Sequence, residues 1–101
     1  MTEIKIPFNK WSKERLEEGI KVCTSRSKVY GKVGDTFSVD GKCYLLMGVI
    51  QMPLWFVKKF LYGLEGARDS MEFEQVWRDI FRGEFNPDKL VWVHFFRETL
   101  K

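Results

Sequence analysis

The stretch GKVGDTFSVDGKCYLLMGVIQM, residues 31–52, constrains the fold more than any other part of the chain. Asp40-Gly41 stands between two β-forming runs, and an Asp-Gly pair in that position is the signature of a tight hairpin. The second arm, Cys43 to Gln51, is almost entirely apolar, the pattern of a central strand. Gly31 and Gly34 punctuate the approach to the first arm.

The flanking sequence supplies the partners such a hairpin needs. TEIKIPF, residues 2–8, alternates with Ile4 and Ile6 on one face, which predicts a first strand. NKWSKERLEEG then predicts a helix, with Asn9 or Ser12 as its cap and Gly19 as its stop. Residues 20–26 return to an extended pattern. After the hairpin, Pro53 suits the first turn of a helix, and PLWFVKKFLY is apolar on most sides up to Gly63, so a largely buried helix is expected. Asp69 and Glu72 form a capping box, and Phe73, Val76, Trp77, Ile80 and Phe81 repeat at helical spacing until Gly83. FNPDK makes a turn and LVWVHFF a last apolar strand. This order predicts an α+β fold: a small mixed β-barrel with helices packed on it.

A chain of 101 residues with 45% hydrophobic and 16% aromatic residues has material for one core, so residues 1–101 are expected to form one domain. The net charge of +3 is unevenly placed. Residues 1–50 carry nine Lys/Arg against six Asp/Glu, and the remainder eight against eight. Residues 19–34 hold Lys21, Arg26, Lys28 and Lys32 and no acid, a surface suited to phosphates or other anions. The N-terminus lacks a long apolar segment, and the longest uncharged run, Cys43 to Val57, is too short for a bilayer span. A soluble, cytoplasmic protein with no membrane partner is the expectation. Cys23 and Cys43 have no CxxC spacing and no His cluster, so no metal site and no cofactor is expected; reduced thiols are favoured over a disulfide between neighbouring strands.

GIKVCTSR, residues 19–26, fits a GxKxxTxR pattern and is similar to the signature of the ASCH domain, a PUA-like family related to RNA-modification modules. YGKVGDTFSV resembles the GD-containing strand that follows it there, LEGARDSMEFEQVWRDIF the Glu-Gly turn leading into an amphipathic helix, and LVWVHFFR the closing strand. The resemblance implies a small PUA-like mixed β-barrel with a cleft lined by the motif. It also implies RNA or a modified nucleoside as partner; Lys21, Arg26, Lys28 and Tyr30 are the expected binding residues, the last two from the basic patch and from base stacking. One group of small bacterial members hydrolyses N4-acetylcytidine to cytidine and acetate with a Lys, a Thr and a Glu. By that resemblance Lys21 is the proton acceptor, Thr24 the nucleophile and a downstream carboxylate the proton donor.

The chemistry is coherent. A threonine hydroxyl attacks only when a neighbouring base takes its proton. A lysine serves as that base only as a neutral amine, a form that burial and nearby positive charge both favour. Glu65, in the loop GLEGARD between Gly63 and Gly66, is the expected carboxylate, although its spacing to the next helix is one residue longer than in the hydrolases. Asp69 is the rival, already suited to a helix cap. In a perfect strand Lys21 and Thr24 point to opposite faces, so a shared site requires Lys21 to lie in the turn that Gly19 permits. Each residue also has a plainer role: phosphate contacts for Lys21 and Arg26, a strand hydroxyl for Thr24, a hydrogen-bonded strand ring for His94. Tyr30 and Tyr44 are candidates for base stacking, and Trp55 and Trp77 for the core.

Overall fold

The computed structural model describes residues 2–99. Its sheet has four strands, β1 Cys23–Arg26, β2 Thr36–Val39, β3 Lys42–Pro53 and β4 Leu90–Thr99, in the order β1-β4-β3-β2. All three pairings are antiparallel, and the long β3–β4 pair forms the centre. The sheet curls into a half-barrel. Helix α1, Lys10–Glu17, precedes β1, and α2, Leu54–Phe56, α3, Tyr62–Glu65, and α4, Ser70–Ile80, lie between β3 and β4. The α+β architecture expected from the sequence is therefore present, with a half-barrel sheet that is antiparallel rather than mixed.

Local chemistry explains most of the boundaries. Asp40 and Gly41 both take positive φ, 50° and 87°, as the hairpin turn between β2 and β3 requires. The Asn9 side chain accepts from the Ser12 amide, and that of Asp69 accepts from the Glu72 amide. Glu72 completes its box on the Arg68 amide rather than on Asp69. Gly19, at φ 76°, ends α1 with two crossed bonds, Gly19 N to Leu16 O and Ile20 N to Arg15 O. Gly66, at φ 106°, ends α3 in the same way through Gly66 N to Gly63 O and Ala67 N to Tyr62 O.

Three expectations are corrected. Residues 2–8 form no strand: Glu3 makes one parallel bridge to Thr36, with Ile4 N bonded to Thr36 O. Pro7 has no N–H to extend a ladder, and Ile6 is buried in the core instead. The helix expected to stop at Gly63 runs on to Glu65, interrupted by a π-helical turn over Val57–Leu61. Trp55 is exposed, whereas Trp77 is buried as expected.

β4 is buried on both faces. Val91 and Val93 pack with Cys23, Leu54, Val57, Phe73 and Trp77 under the helices. Phe96 packs with Ile6, Leu16, Phe37, Tyr44 and Leu46 on the other side, where Phe37 lies 5.3 Å from both Tyr44 and Phe96. Tyr44 is thus a core residue and is not available for base stacking. Cys23 and Cys43 are free thiols on strands that are not neighbours, and burial pushes the Cys23 thiol well above its ordinary value. Among the described residues no helix is long and apolar enough to cross a membrane.

The two helix-ending glycines differ in their surroundings. A Cβ on Gly19 meets nothing within 4 Å, so Gly19→Ala carries only the left-handed backbone penalty, about 1–2 kcal/mol. A Cβ on Gly66 falls 2.9 Å from both Cβ and Cγ of Arg15, atoms near the backbone that cannot swing away. Gly66→Ala is expected to lower the urea midpoint more than Gly19→Ala does. Equal shifts in the two variants would contradict this packing of α3 against α1.

Candidate functional site

Two helix ends are brought to one strand edge. The chain leaves α1 through the Gly19 turn, where Lys21 N bonds to Arg15 O before β1 begins at Cys23. Lys21 therefore lies in the turn, as a site shared with Thr24 requires. Val22 then accepts from Phe96 N and donates to Leu64 O, which fastens the last turn of α3 beside it. β1 pairs only with β4, so its other edge is open. A cleft of about 550 Å³ wraps that edge, which is why residues of both strand faces reach it.

The floor of the cleft is polar and buried. Lys21 and Glu65 are each 4% exposed. The Lys21 ammonium donates to the Glu65 carbonyl at 2.8 Å and to Glu65 Oε1 at 3.0 Å. The Ser25 hydroxyl donates to Glu65 Oε2 at 2.5 Å, so both carboxylate oxygens are engaged. An ammonium has three donors, and these bonds use two. Thr24 is also buried; its Oγ1 accepts from Arg26 Nε at 3.2 Å, which leaves its own proton free to donate. Within the described residues every buried side-chain nitrogen and oxygen has a partner.

The walls are different in kind. Phe73, Val76, Trp77 and Ile80 of α4, with Phe81 at its C-cap, form an apolar side. The Arg26 guanidinium lies 4.9 Å from the Phe8 ring and 5.5 Å from the Tyr30 ring, and the Lys28 amine lies 5.0 Å from the Tyr30 ring. Burial pulls the Arg26 pKa below its ordinary value, against the pull of Tyr30 and Glu65. Lys28 is exposed and Arg26 half-buried, so they stand nearer the mouth than Lys21. Among the described residues neither is paired with a carboxylate. Lys21 is paired, so its charge is already answered within the fold.

Lys21, Thr24, Arg26, Lys28, Tyr30 and Glu65 thus all line one cleft. Asp69 is a helix cap outside it. Glu65 is the closing residue of α3 and not a loop residue, held against Lys21 by the Gly66 turn. Sequence reasoning missed Ser25, whose only signal is its place between Thr24 and Arg26, and the aromatic walls at Phe8 and Trp11. The Trp11 ring lies 4.8 Å from the Arg15 guanidinium and 5.9 Å from the Lys21 amine. Elsewhere on α4, Glu74 bonds Lys58 and Arg78, which hold its carboxyl below the usual range.

No protein-family model matches the sequence, and no curated protein matches it. Two solved structures share the fold. An ASCH domain from Lactobacillus crispatus JV V101 superposes with a TM-score of 0.74 at 14% identity, over 96% of this chain and 78% of that one. A protein from Enterococcus faecalis V583 of the DUF984 family superposes with a TM-score of 0.62 at 21% identity, over 97% and 78%. The chain has the PUA-like fold of an ASCH domain.

Proposed function

We propose that the cleft binds one nucleobase, from single-stranded RNA or a modified nucleoside. One observation carries this reading: a single cleft combines a buried polar floor, apolar side chains of α4, and aromatic rings beside two cations that are unpaired among the described residues. A base needs flat apolar surfaces to stack on and a few hydrogen-bonding groups at its edge. The third Lys21 donor, the Thr24 hydroxyl and the spare lone pairs of Glu65 and Ser25 offer both kinds of group. The volume suits a nucleoside-sized ligand. Arg26 and Lys28, near the mouth, suit the ribose-phosphate side.

The test is a tryptophan-fluorescence titration with cytidine, N4-acetylcytidine and a short single-stranded RNA, repeated at two salt concentrations. RNA affinity is expected to fall with salt at a slope of about −1.4, since Arg26 and Lys28 are the cations of the cleft left unpaired among the described residues and each contact contributes about −0.7. Reaching the exposed Lys32 would extend the slope to about −2.1, and a slope near −3 would require a fourth contact from Lys21 and would contradict its pairing with Glu65. Absence of saturable binding to all three ligands would remove the reading.

A second reading is hydrolysis of an N4-acylated cytidine, favoured by the presence of Lys21, Thr24 and Glu65 in one cleft. Proton transfer along the 3.0 Å Lys21–Glu65 bond turns the ion pair into a neutral amine and a carboxylic acid, the base and the acid this reaction needs. The amine then takes the Thr24 proton as Oγ1 attacks the acyl carbon. The acid gives its proton to the departing N4, and water later cleaves the acyl-threonine ester. Lys21 and Thr24 share no hydrogen bond in the ligand-free cleft, so substrate must draw them together. Release of cytidine from N4-acetylcytidine, followed by chromatography, tests this reading.

A further inference from the structure

Behind the cleft stands a side chain that the proposed binding does not use. His94, on β4, is completely buried. Its Nε2 lies 3.0 Å from the Tyr30 backbone nitrogen, which can only donate, so Nε2 is the acceptor and the ring proton belongs on Nδ1. Nδ1 faces two acceptors, the Thr24 carbonyl at 3.3 Å and the Trp92 carbonyl at 3.1 Å. One ring therefore joins the strand that supplies the floor to the loop that supplies the wall. Residues 27–35, which carry Lys28 and Tyr30, have no ladder of their own. Their other backbone tethers, Gly34 N to Leu46 O and Leu46 N to Asp35 O, lie at the far end, while Lys32 and Asp35 bond within the segment.

We propose that His94 is a positioning residue, a proton-sensitive clip that holds the Tyr30 wall of the cleft against the Thr24 strand. With the ring neutral, Nε2 accepts from Tyr30 and the wall is fixed. A doubly protonated ring has two donors and no acceptor, so the Tyr30 amide loses its partner and the wall is released. The groups around the ring are few. Arg26 on β1 opposes a second proton and Glu65 on α3 favours one, while the Tyr30 ring stands at 6.0 Å and the β3 neighbour is the uncharged Val49. Burial dominates and holds the ring below its ordinary value of 6.5. The unfolded chain takes up the proton first as pH falls. The stability contributed is therefore full above about 6.5 and is lost as pH drops towards the lower folded value.

The test is NMR on the ligand-free protein, following the ring nitrogens of His94 and amide exchange at Tyr30 from neutral to acid pH. The expected result is the Nδ1–H tautomer at neutral pH, with Tyr30 protection lost in the same step in which the ring takes its second proton. His94→Gln offers an amide oxygen to Tyr30 and does not titrate, so its Tyr30 protection should stay flat through that step; His94→Phe should lose it at every pH. Cytidine affinity, the arm that rests on the proposed function, should fall with the wild-type step and not in His94→Gln. Tyr30 protection unchanged while His94 titrates, an Nε2–H tautomer, or acid unfolding with the ring still neutral would overturn the clip, and the wild-type titration decides this if a variant fails to fold. Failure to bind cytidine, N4-acetylcytidine and RNA alike, with the ligand-free step intact, would overturn the nucleobase reading alone.

Discussion

Lys21→Met is expected to cost the fold about 3–5 kcal/mol, because it leaves the Glu65 carboxylate buried without its cation. A small domain has only about 5–15 kcal/mol in total, so this one change should bring the chain close to unfolding at moderate temperature. The loss also includes the Lys21 bond to the Glu65 carbonyl, a cation at the C-terminal end of α3. Glu65→Gln alone should be damaging for the converse reason, a buried ammonium with no counter-charge. The double variant Lys21→Met with Glu65→Gln should be more stable than the sum of the two losses implies, since no bare charge remains. Urea unfolding of the four proteins measures this. A Lys21→Met loss within about 0.5 kcal/mol of zero, the range of ordinary surface changes, would contradict the buried pair.

Turnover of N4-acetylcytidine, if the cleft supports it, is expected to separate Thr24, Lys21 and Glu65 from the other cleft residues. Thr24→Val keeps the shape without the attacking oxygen and should lose at least about 10³-fold, whereas Thr24→Ser should keep part of the rate. Lys21→Arg should lose about 10²–10⁴-fold, because arginine holds its proton at any working pH and cannot act as a base. For binding without chemistry the pattern differs. Lys21→Arg keeps a cation opposite Glu65, and Thr24→Val removes the bond that Arg26 Nε makes to the hydroxyl, about 1 kcal/mol of stability, and one hydrogen-bonding group at the base edge. Unfolding midpoints of the same variants separate lost chemistry from lost fold. Wild-type turnover in Lys21→Arg would end the lysine-base mechanism.

Much of this arrangement was legible because it is local. Asn9 and Asp69 act on amides three residues away, and Asp40-Gly41 closes a turn of its own making, so short-range rules place them. The α4 stripe likewise follows from spacing alone; Phe73 and Trp77 are buried where the repeat puts them. What was missed depends on distant partners. Whether residues 2–8 pair along β2 or dip into the core depends on how Ile6 meets Phe37 and Leu16. The extension of α3 to Glu65 depends on Val22 binding Leu64 across the fold, and the role of Ser25 on where that helix end arrives. Tyr44 and Trp55 exchanged their expected surroundings for the same reason: β propensity and helical spacing do not say which face of an element is covered.

The measurement that bears most directly on the nucleobase cleft is an amide chemical-shift map of the protein titrated with N4-acetylcytidine and, separately, with cytidine. The expected result is a saturable response concentrated at Trp11, Thr24, Ser25, Tyr30, Glu65 and Trp77, with the exposed strand and helix surfaces around Met47 and Trp55 unmoved. A response centred away from these residues, or none at millimolar ligand, would contradict it.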